Sequence, residues 1–130
     1  MRKLLAIDER SLARPALLTF RNISRAWSLT ETEQSAILGH PLSAASAVLD
    51  SDEGHELLSD TLERLSYVLG IYRALHIIFP DQQQADSWVR RPNHAALFNG
   101  TPALGLMCSG RLADLAAVRQ YLDAQGLADP

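Results

Sequence analysis

The stretch GHELLSDTLERLSYVLGIYRALHIIF, residues 54–79, decides the fold, because apolar side chains recur in it at alternating steps of four and three residues. The first apolar row is Leu58, Leu62, Leu65, Leu69, Tyr72, His76 and Phe79, and a second row beside it is Leu57, Val68, Ile71, Leu75 and Ile78. Gly70 costs about 1 kcal/mol relative to alanine in a helix, which indicates that another helix crosses closely there. The pattern predicts one long helix with a wide buried face, ended by Pro80.

Helices are also predicted on the amino-terminal side of this stretch. A first helix is expected to begin at Pro15, a residue suited to the first helical turn, with an apolar stripe of Leu17, Phe20, Ile23 and Trp27. Thr30 and Glu33 have the spacing of a capping box that begins a second helix, and Gly39 ends it. The segment SAASAVLD, residues 43–50, is expected to form a third short helix capped by its first residue.

The carboxy-terminal side carries turn and cap signals at short intervals. In chain order they are Asp81 as a cap, Pro92 as a stop, Asn99 and Gly100 as a turn, Thr101 as a cap before Pro102, and Gly110 as a stop. A last helix is expected from Leu112 to Gln125, closed by Gly126. No run alternates with period two, so we predict an all-α chain. Its two lobes, residues 1–79 and 80–130, should pack on each other.

The composition fits one compact core in a reducing compartment. The chain has 130 residues, of which 47% are hydrophobic and 21% charged. No segment approaches the roughly 20 uninterrupted apolar residues of a membrane span, and the start MRKLLAIDERSLARP turns acidic before a signal-peptide core can develop. The single cysteine has no internal disulfide partner. We therefore expect a cytoplasmic protein that has no membrane partner.

Charge is distributed unevenly along the chain, although the net charge is only −3. Half of the twelve basic residues precede Trp27, and the next one is Arg64. The intervening stretch holds eight carboxylates and no lysine or arginine. A phosphate backbone approached by that stretch would be repelled.

Enzymatic chemistry finds little support in the residues. Cys108 reads as a small buried apolar residue, and no spacing pairs it with His94 or His76 as a nucleophile and base. His76 falls in the apolar stripe of the long helix, which favours a satisfied core histidine. His55 and His76 have Ser59 and Pro80 four residues on, so neither has a second metal ligand at that spacing. The segment GTPALG has no preceding strand to make it a phosphate or dinucleotide loop. We predict no catalytic residues, no metal and no cofactor.

The first lobe has the layout of a helix-turn-helix, with LTETEQSAILG as the supporting helix, HPLS as the turn and AASAVLDSD as the recognition helix. Base reading needs polar or basic side chains early in that second helix, whereas this one offers small residues such as Ser43 and Ser46, followed by acidic ones. Arg14, Arg21 and Arg25 of the first helix could contact phosphate, or they could be solvated arginines beside an apolar stripe. Binding to operator DNA is therefore only weakly indicated.

Three segments carry a resemblance to a known family. FRNISRAWSLTETEQSAILGHP, LERLSYVLGIYRALHIIFP and ADSWVRRPNHAALFNGTPALGLMCSGRLADLAAVRQYLD resemble, in that order, the Xre/MbcA/ParS antitoxins, over roughly residues 20–123. The resemblance implies an Xre-like helix-turn-helix lobe followed by a helical toxin-binding lobe. It implies a non-catalytic antitoxin that often dimerises and neutralises a RES-domain toxin, which consumes NAD or uses it to modify a target, in a type II toxin–antitoxin pair. The acidic recognition-helix segment departs from the polar or basic recognition helix that the resemblance implies.

The toxin-binding residues follow from the resemblance together with the residue chemistry. The apolar members of the family signature, among them Leu97, Leu104, Met107, Val118 and Leu122, are spaced as a helical core. The polar members are not explained by packing and favour partner contact, although Arg91 could instead cap the carbonyls of the preceding helix. The predicted toxin-binding set is Trp88, Arg90, Arg91, Pro92, Asn93, Phe98, Asn99, Gly100, Arg111, Asp123 and Asp129.

The tail YLDAQGLADP offers a further hypothesis. Asp123, Asp129 and a terminal carboxylate could plug the cationic pocket in which a RES toxin holds the pyrophosphate of NAD; alternatively, the tail is a frayed terminus. A homodimer is expected in the free state, because the apolar stripe of the long helix exceeds what two short helices could cover. The other function that the residues allow is a DNA-binding regulator without a toxin partner.

Overall fold

The computed structural model describes residues 2–41, 44 and 55–128. Within these ranges the chain forms six α-helices and no strand, apart from an isolated bridge between Pro92 and Pro102, so the all-α prediction is confirmed. Apart from Ala44, the expected third helix, residues 43–50, lies outside the described residues, as do Ser43, Ser46 and Asp129. The helices are α1 (Arg2–Ala26), α2 (Glu31–Leu38), α3 (His55–Ile78), α4 (Gln82–Ser87), α5 (Ala103–Met107) and α6 (Leu112–Ala128), with a 3-10 turn at Trp88–Arg90 after α4.

Helix α1 begins well before the residue that the sequence suggested. It starts at Arg2 and runs through Pro15, so the predicted start at Pro15 is wrong. A proline inside a helix removes one backbone donor, here the one that would bond the carbonyl four residues earlier. Ala13 and Leu17 are buried on either side of the proline, and this packing outweighs the lost bond. The predicted stripe is confirmed as buried, with Leu17, Phe20, Ile23 and Trp27 all in the core.

Helix α2 is defined by the predicted capping box. Glu33 N donates to Thr30 Oγ1 at 3.1 Å, and Thr30 N donates to Glu33 Oε1 at 2.9 Å. Gly39 follows the helix with φ 82°, and its N–H donates to the carbonyl of Ser35 at 2.9 Å. The left-handed conformation at Gly39 explains why the helix ends at a glycine.

Helix α3 lies between α1 and α6 and supplies the centre of the core. Val68, Ile71 and Leu75 of the second apolar row are fully buried. Leu62, Leu69, Tyr72 and His76 of the first row are only half-buried. Close approach at Gly70 is confirmed, although it is made by a side chain. A Cβ added at Gly70 would lie 2.5 Å from Arg119 Cζ of α6.

The carboxy-terminal half follows most of its predicted signals. Asp81 caps α4 by accepting from Gln83 N and Gln84 N, and the Asn99-Gly100 turn has positive φ angles of 52° and 88°. Two predictions here are wrong by local geometry. Thr101 does not cap α5, since its hydroxyl donates to the carbonyl of Phe98 at 2.6 Å, and Pro102 is the residue that precedes the helix. Helix α6 continues through Gly126 to Ala128.

Both halves of the chain share one hydrophobic core. Leu115, Val118 and Leu122 of α6 are buried in the same cluster as Phe20 and Trp27 of α1. The expected contact between the lobes is therefore present. Two long helices, α1 and α6, cover α3, so the reason given for a homodimer, that only short helices were available, does not hold. None of the helices in the described part of the chain is both long enough and apolar enough to cross a membrane.

Candidate functional site

The segment between α4 and α5 is a loop closed on itself by hydrogen bonds. Asn93 N donates to the carbonyl of Thr101 at 3.2 Å, and Gly100 N donates to the carbonyl of Asn93 at 2.8 Å. The Asn93 side chain accepts from Ala95 N at 3.0 Å, an Asx turn. The bridge between Pro92 and Pro102 lies beside these bonds. Asn93 and Gly100 from the predicted set therefore shape the loop from within.

An aromatic cluster fixes this loop to α6. The ring centroids of Trp88 and Phe98 are 5.7 Å apart, and those of Phe98 and Tyr121 are 5.2 Å apart, both edge to face. Trp88 stacks on Tyr121 at 6.4 Å. Such pairs add about 0.5–1.5 kcal/mol each beyond their buried area. Sequence reasoning missed Tyr121, whose only signal was its place next to the buried Leu122.

Arg90 holds the junction between α1 and α2. Its Nε donates to the carbonyl of Trp27 at 2.9 Å, and its Nη2 donates to the carbonyl of Ser28 at 2.6 Å and to Glu33 Oε1 at 2.9 Å. Ser28 has φ 55°, a left-handed conformation that a serine adopts only when its surroundings hold it. The premise that packing does not explain Arg90 is therefore wrong.

Arg91 follows the alternative that the sequence left open. Its Nη2 donates to the carbonyl of Gln84 in α4 at 3.0 Å, and its guanidinium lies 5.7 Å from the ring centroid of Phe79. Its capping of the preceding helix is confirmed. Arg111, another polar residue predicted to bind the toxin, is largely exposed. Its side chain is 79% exposed, with Nε 3.4 Å from Asp114. Asn99 is exposed on the turn.

Electrostatics in the region favour structural roles for its titratable groups. The pKa of Glu33 is lowered, first because Thr30 N–H donates to its carboxylate and then because of the Arg90 guanidinium. Burial, with a further contribution from the Glu33 carboxylate, raises the pKa of the Cys108 thiol to about 11. Cys108 is therefore a neutral thiol at physiological pH, which makes it a poor nucleophile.

The histidine of the long helix has a structural partner. His76 Nε2 lies 3.0 Å from Asp86 Oδ1 of α4, and its ring centroid is 4.2 Å from that of Tyr72. The side chain is half-buried and satisfied, as expected from its place in the stripe. Across the described residues, no group of three or more His, Cys, Asp or Glu side chains is arranged to hold a metal ion.

A groove of about 480 Å³ lies between the second half of α3 and α6. Ile77 lines it with 68% of its surface exposed, the largest exposed fraction among the big apolar side chains described. Arg73 is exposed beside it. Arg119 and Asp123 form an ion pair at 3.7 Å on the opposite wall. Sequence reasoning missed this groove, although Ile77 gave a signal by falling outside both apolar rows of α3.

The arginines predicted to contact phosphate share one side of α1. Arg14, Arg21 and Arg25 are all exposed, and at about 100° per residue their spacing keeps them within a narrow sector of the helix surface. They span about 16 Å along the axis at 1.5 Å per residue. The structure therefore brings these three together, while Ser43 and Ser46 lie outside the described residues.

Comparisons with known proteins agree with this architecture. Residues 74–126, which include most of the groove lining, the loop and most of α6, match the family described as "Antitoxin Xre/MbcA/ParS C-terminal toxin-binding domain". The chain is 42% identical over 109 residues to the uncharacterized protein y4oB of Sinorhizobium fredii (strain NBRC 101917 / NGR234), covering 84% of this chain and 82% of that protein. No solved structure matches significantly.

The helical fold and the matched domain define a toxin-binding antitoxin of the all-α class. Residues 74–126 place the chain among Xre/MbcA/ParS-type antitoxins, and a toxin-binding domain implies a toxin protein as its partner. The matched domain begins at Ala74, inside α3, so the toxin-binding unit includes the end of the long helix as well as the loop and α6.

Proposed function

We propose that this antitoxin neutralises a RES-domain toxin by binding over its NAD-using active site. The match of residues 74–126 to a toxin-binding domain is the observation that carries the proposal. The described structure adds that this domain is braced before any partner arrives. Arg90, Arg91 and the aromatic cluster fix its loop. A preformed surface loses less conformational entropy on binding, which favours tight association.

Steric exclusion is the simplest mechanism. A RES toxin must hold the pyrophosphate of NAD in a cationic pocket, and a protein seated over that pocket denies NAD access without performing a reaction. Carboxylates on the antitoxin would add attraction to such a pocket. Asp123 is exposed near the end of α6 and fits this role, while Asp129, the other acidic residue proposed for it, lies outside the described residues.

The binding claim can be tested by isothermal titration of the purified chain into a catalytically inactive RES-domain toxin from the same operon. We expect saturable binding with a dissociation constant of about 1 μM or tighter, as for a stable protein–protein interface. Absence of binding to the toxin, together with tight binding to operator DNA, would favour the alternative function, a helix-turn-helix regulator without a toxin partner.

Autoregulation of the operon is a second proposed activity, carried by the basic side of α1. Arg14, Arg21 and Arg25 give it three exposed guanidinium groups, whereas the recognition-helix segment is acidic. Binding that depends on phosphate contacts weakens steeply with salt. In electrophoretic mobility shifts, operator affinity should fall at least about 10-fold between about 50 and 200 mM salt. The variant Arg21→Glu should bind more weakly at both.

The two-lobe organisation, residues 1–79 and 80–130, and a homodimer in the free state also stay proposals. The shared core supports close coupling of the lobes. For the dimer, half-buried Leu62 and Leu69 on α3 and exposed Leu18 on α1 offer apolar surface. Sedimentation equilibrium of the free chain distinguishes the two states, because a dimer has twice the 14.3 kDa mass of the chain.

A further inference from the structure

We propose that the toxin binds in the groove between α3 and α6, and that Ile77 and Arg73 make the principal contacts with it. The occupant is an amphipathic segment of the toxin that brings an apolar side chain to Ile77 and a carboxylate to Arg73. This inference rests on the proposed function and names the part of the toxin-binding domain that grips the partner.

The position of the groove is the first argument. Most of its lining belongs to the family's toxin-binding domain, which begins at Ala74. Ala74, Ile77 and Ile78 line the α3 wall inside the matched domain, and Gly70 and Arg73 line it just before that domain begins. The α6 wall includes Arg119 and Leu122. The groove thus continues the region that the family defines as toxin-binding, and α3 and α6, the helices that hold it, are rigidly packed on each other.

The exposure of Ile77 is the second argument. Ile77 is a β-branched apolar side chain that is 68% exposed beside a groove, so most of its apolar surface stays in water in the free chain. Buried apolar anchors in pockets supply most of the affinity of protein interfaces. Leu97, the other large apolar side chain exposed in this domain, is 39% exposed and lies on the loop, away from the groove lining.

The charge of Arg73 is the third argument. Arg119, on the other wall, already donates to the carbonyl of Ser66 at 3.4 Å and lies 3.7 Å from Asp123. Arg73 is exposed and makes no hydrogen bond or ion pair with any residue that the structure describes. A carboxylate from a partner would form an ion pair with the Arg73 guanidinium without breaking a contact within the chain.

Arg90 and Arg91, at the loop between α4 and α5, are poorer candidates for toxin contact, because their side chains already form hydrogen bonds within the chain. Arg90 holds Trp27 and Ser28, and Arg91 holds Gln84. A toxin that recruited these guanidinium groups would first have to break those bonds. The loop therefore braces the domain, and the groove offers the free surface.

The test compares two apolar-to-acidic substitutions at exposed sites. Ile77→Asp should weaken binding to the inactive RES toxin by about 100-fold or more, and Arg73→Glu by about 10-fold, as for central interface contacts. Leu97→Asp is the matched control and should change affinity less than about 3-fold. Circular dichroism melts of all three variants should stay near the wild-type curve, because the side chains are exposed in the free chain.

A photocrosslinking amino acid placed at position 77 or at position 97 gives a readout that does not depend on affinity. Crosslinks to the toxin from 77 and not from 97 are expected. Full affinity of Ile77→Asp and Arg73→Glu, or crosslinks from 97 alone, would overturn the groove assignment while wild-type binding stands. A wild-type chain that fails to bind the toxin at all would instead overturn the proposed function.

Discussion

Arg90 joins two parts of the molecule through one guanidinium group. Replacing it with methionine keeps much of the apolar stem but leaves the carbonyls of Trp27 and Ser28 without their donor. We expect Arg90→Met to lower the free energy of unfolding by about 1–3 kcal/mol in urea denaturation. Arg111→Met removes an arginine that is 79% exposed and should cost at most about 0.5 kcal/mol. Equal effects of the two variants would contradict the role given to Arg90.

Cys108 should make stability depend on alkaline pH. Its pKa in the folded chain is about 11, above the ordinary value of 9.0, so the folded state retains its proton where the unfolded state has lost it. The contribution of the Cys108 thiol to the free energy of unfolding is fully present below pH 9 and is lost as the pH rises from 9 toward 11. Chemical denaturation at several pH values should show a smaller decline for Cys108→Ala than for the wild type. Parallel declines would contradict the burial of this thiol.

At the scale of elements, two glycines with opposite surroundings should respond oppositely to alanine. Gly39 has φ 82°, and a Cβ there would lie 2.9 Å from Arg64 Cζ, so Gly39→Ala should cost about 1–2 kcal/mol. Gly126 lies inside α6 with nothing within 4 Å of its Cβ position. Gly126→Ala should therefore stabilise the chain by about 0.5–1 kcal/mol. Thermal denaturation of both variants checks the signs, and a loss of stability in each would refute the continuation of α6.

Local signals in the sequence predict helices and their ends well where interactions between residues close in sequence determine the backbone geometry. The Thr30–Glu33 capping box, the left-handed Gly39 and the 54–79 periodicity all reappear in the structure. The error at Pro15 has a tertiary cause. A local helix penalty of about 3 kcal/mol is outweighed there, because Ala13 and Leu17 on either side of the proline are packed in the core. Such packing is a tertiary effect that a sequence window does not contain.

The candidate site was less predictable, because its contacts join residues far apart in the chain. Arg90 and Trp27 are 63 positions apart, and Cys108 and Glu33 are 75 apart. Residue type alone suggested that exposed polar side chains in this loop face a partner. In the folded chain Arg90 and Arg91 donate hydrogen bonds to backbone carbonyls, whereas Ile77, an apolar residue, is exposed.

At the scale of the whole molecule, the shared core predicts that the two lobes do not fold separately. Leu115, Val118 and Leu122 pack in the same cluster as Leu65, Val68 and Ile71 of α3. A fragment of residues 80–130 should therefore give the collapsed amide dispersion of an unfolded chain in a two-dimensional NMR spectrum, whereas the full chain gives a dispersed one. Cooperative thermal unfolding of the isolated fragment would show that the second lobe is independent.

The central claim is that this antitoxin silences an NAD-using toxin by occupying its active-site face. The most direct measurement is the rate of NAD consumption by the purified RES-domain toxin as the chain is titrated in. The account predicts that the rate falls linearly and reaches zero at a fixed molar ratio, with Ile77→Asp unable to produce that fall at the same concentrations. An undiminished rate at saturating wild-type chain would contradict it.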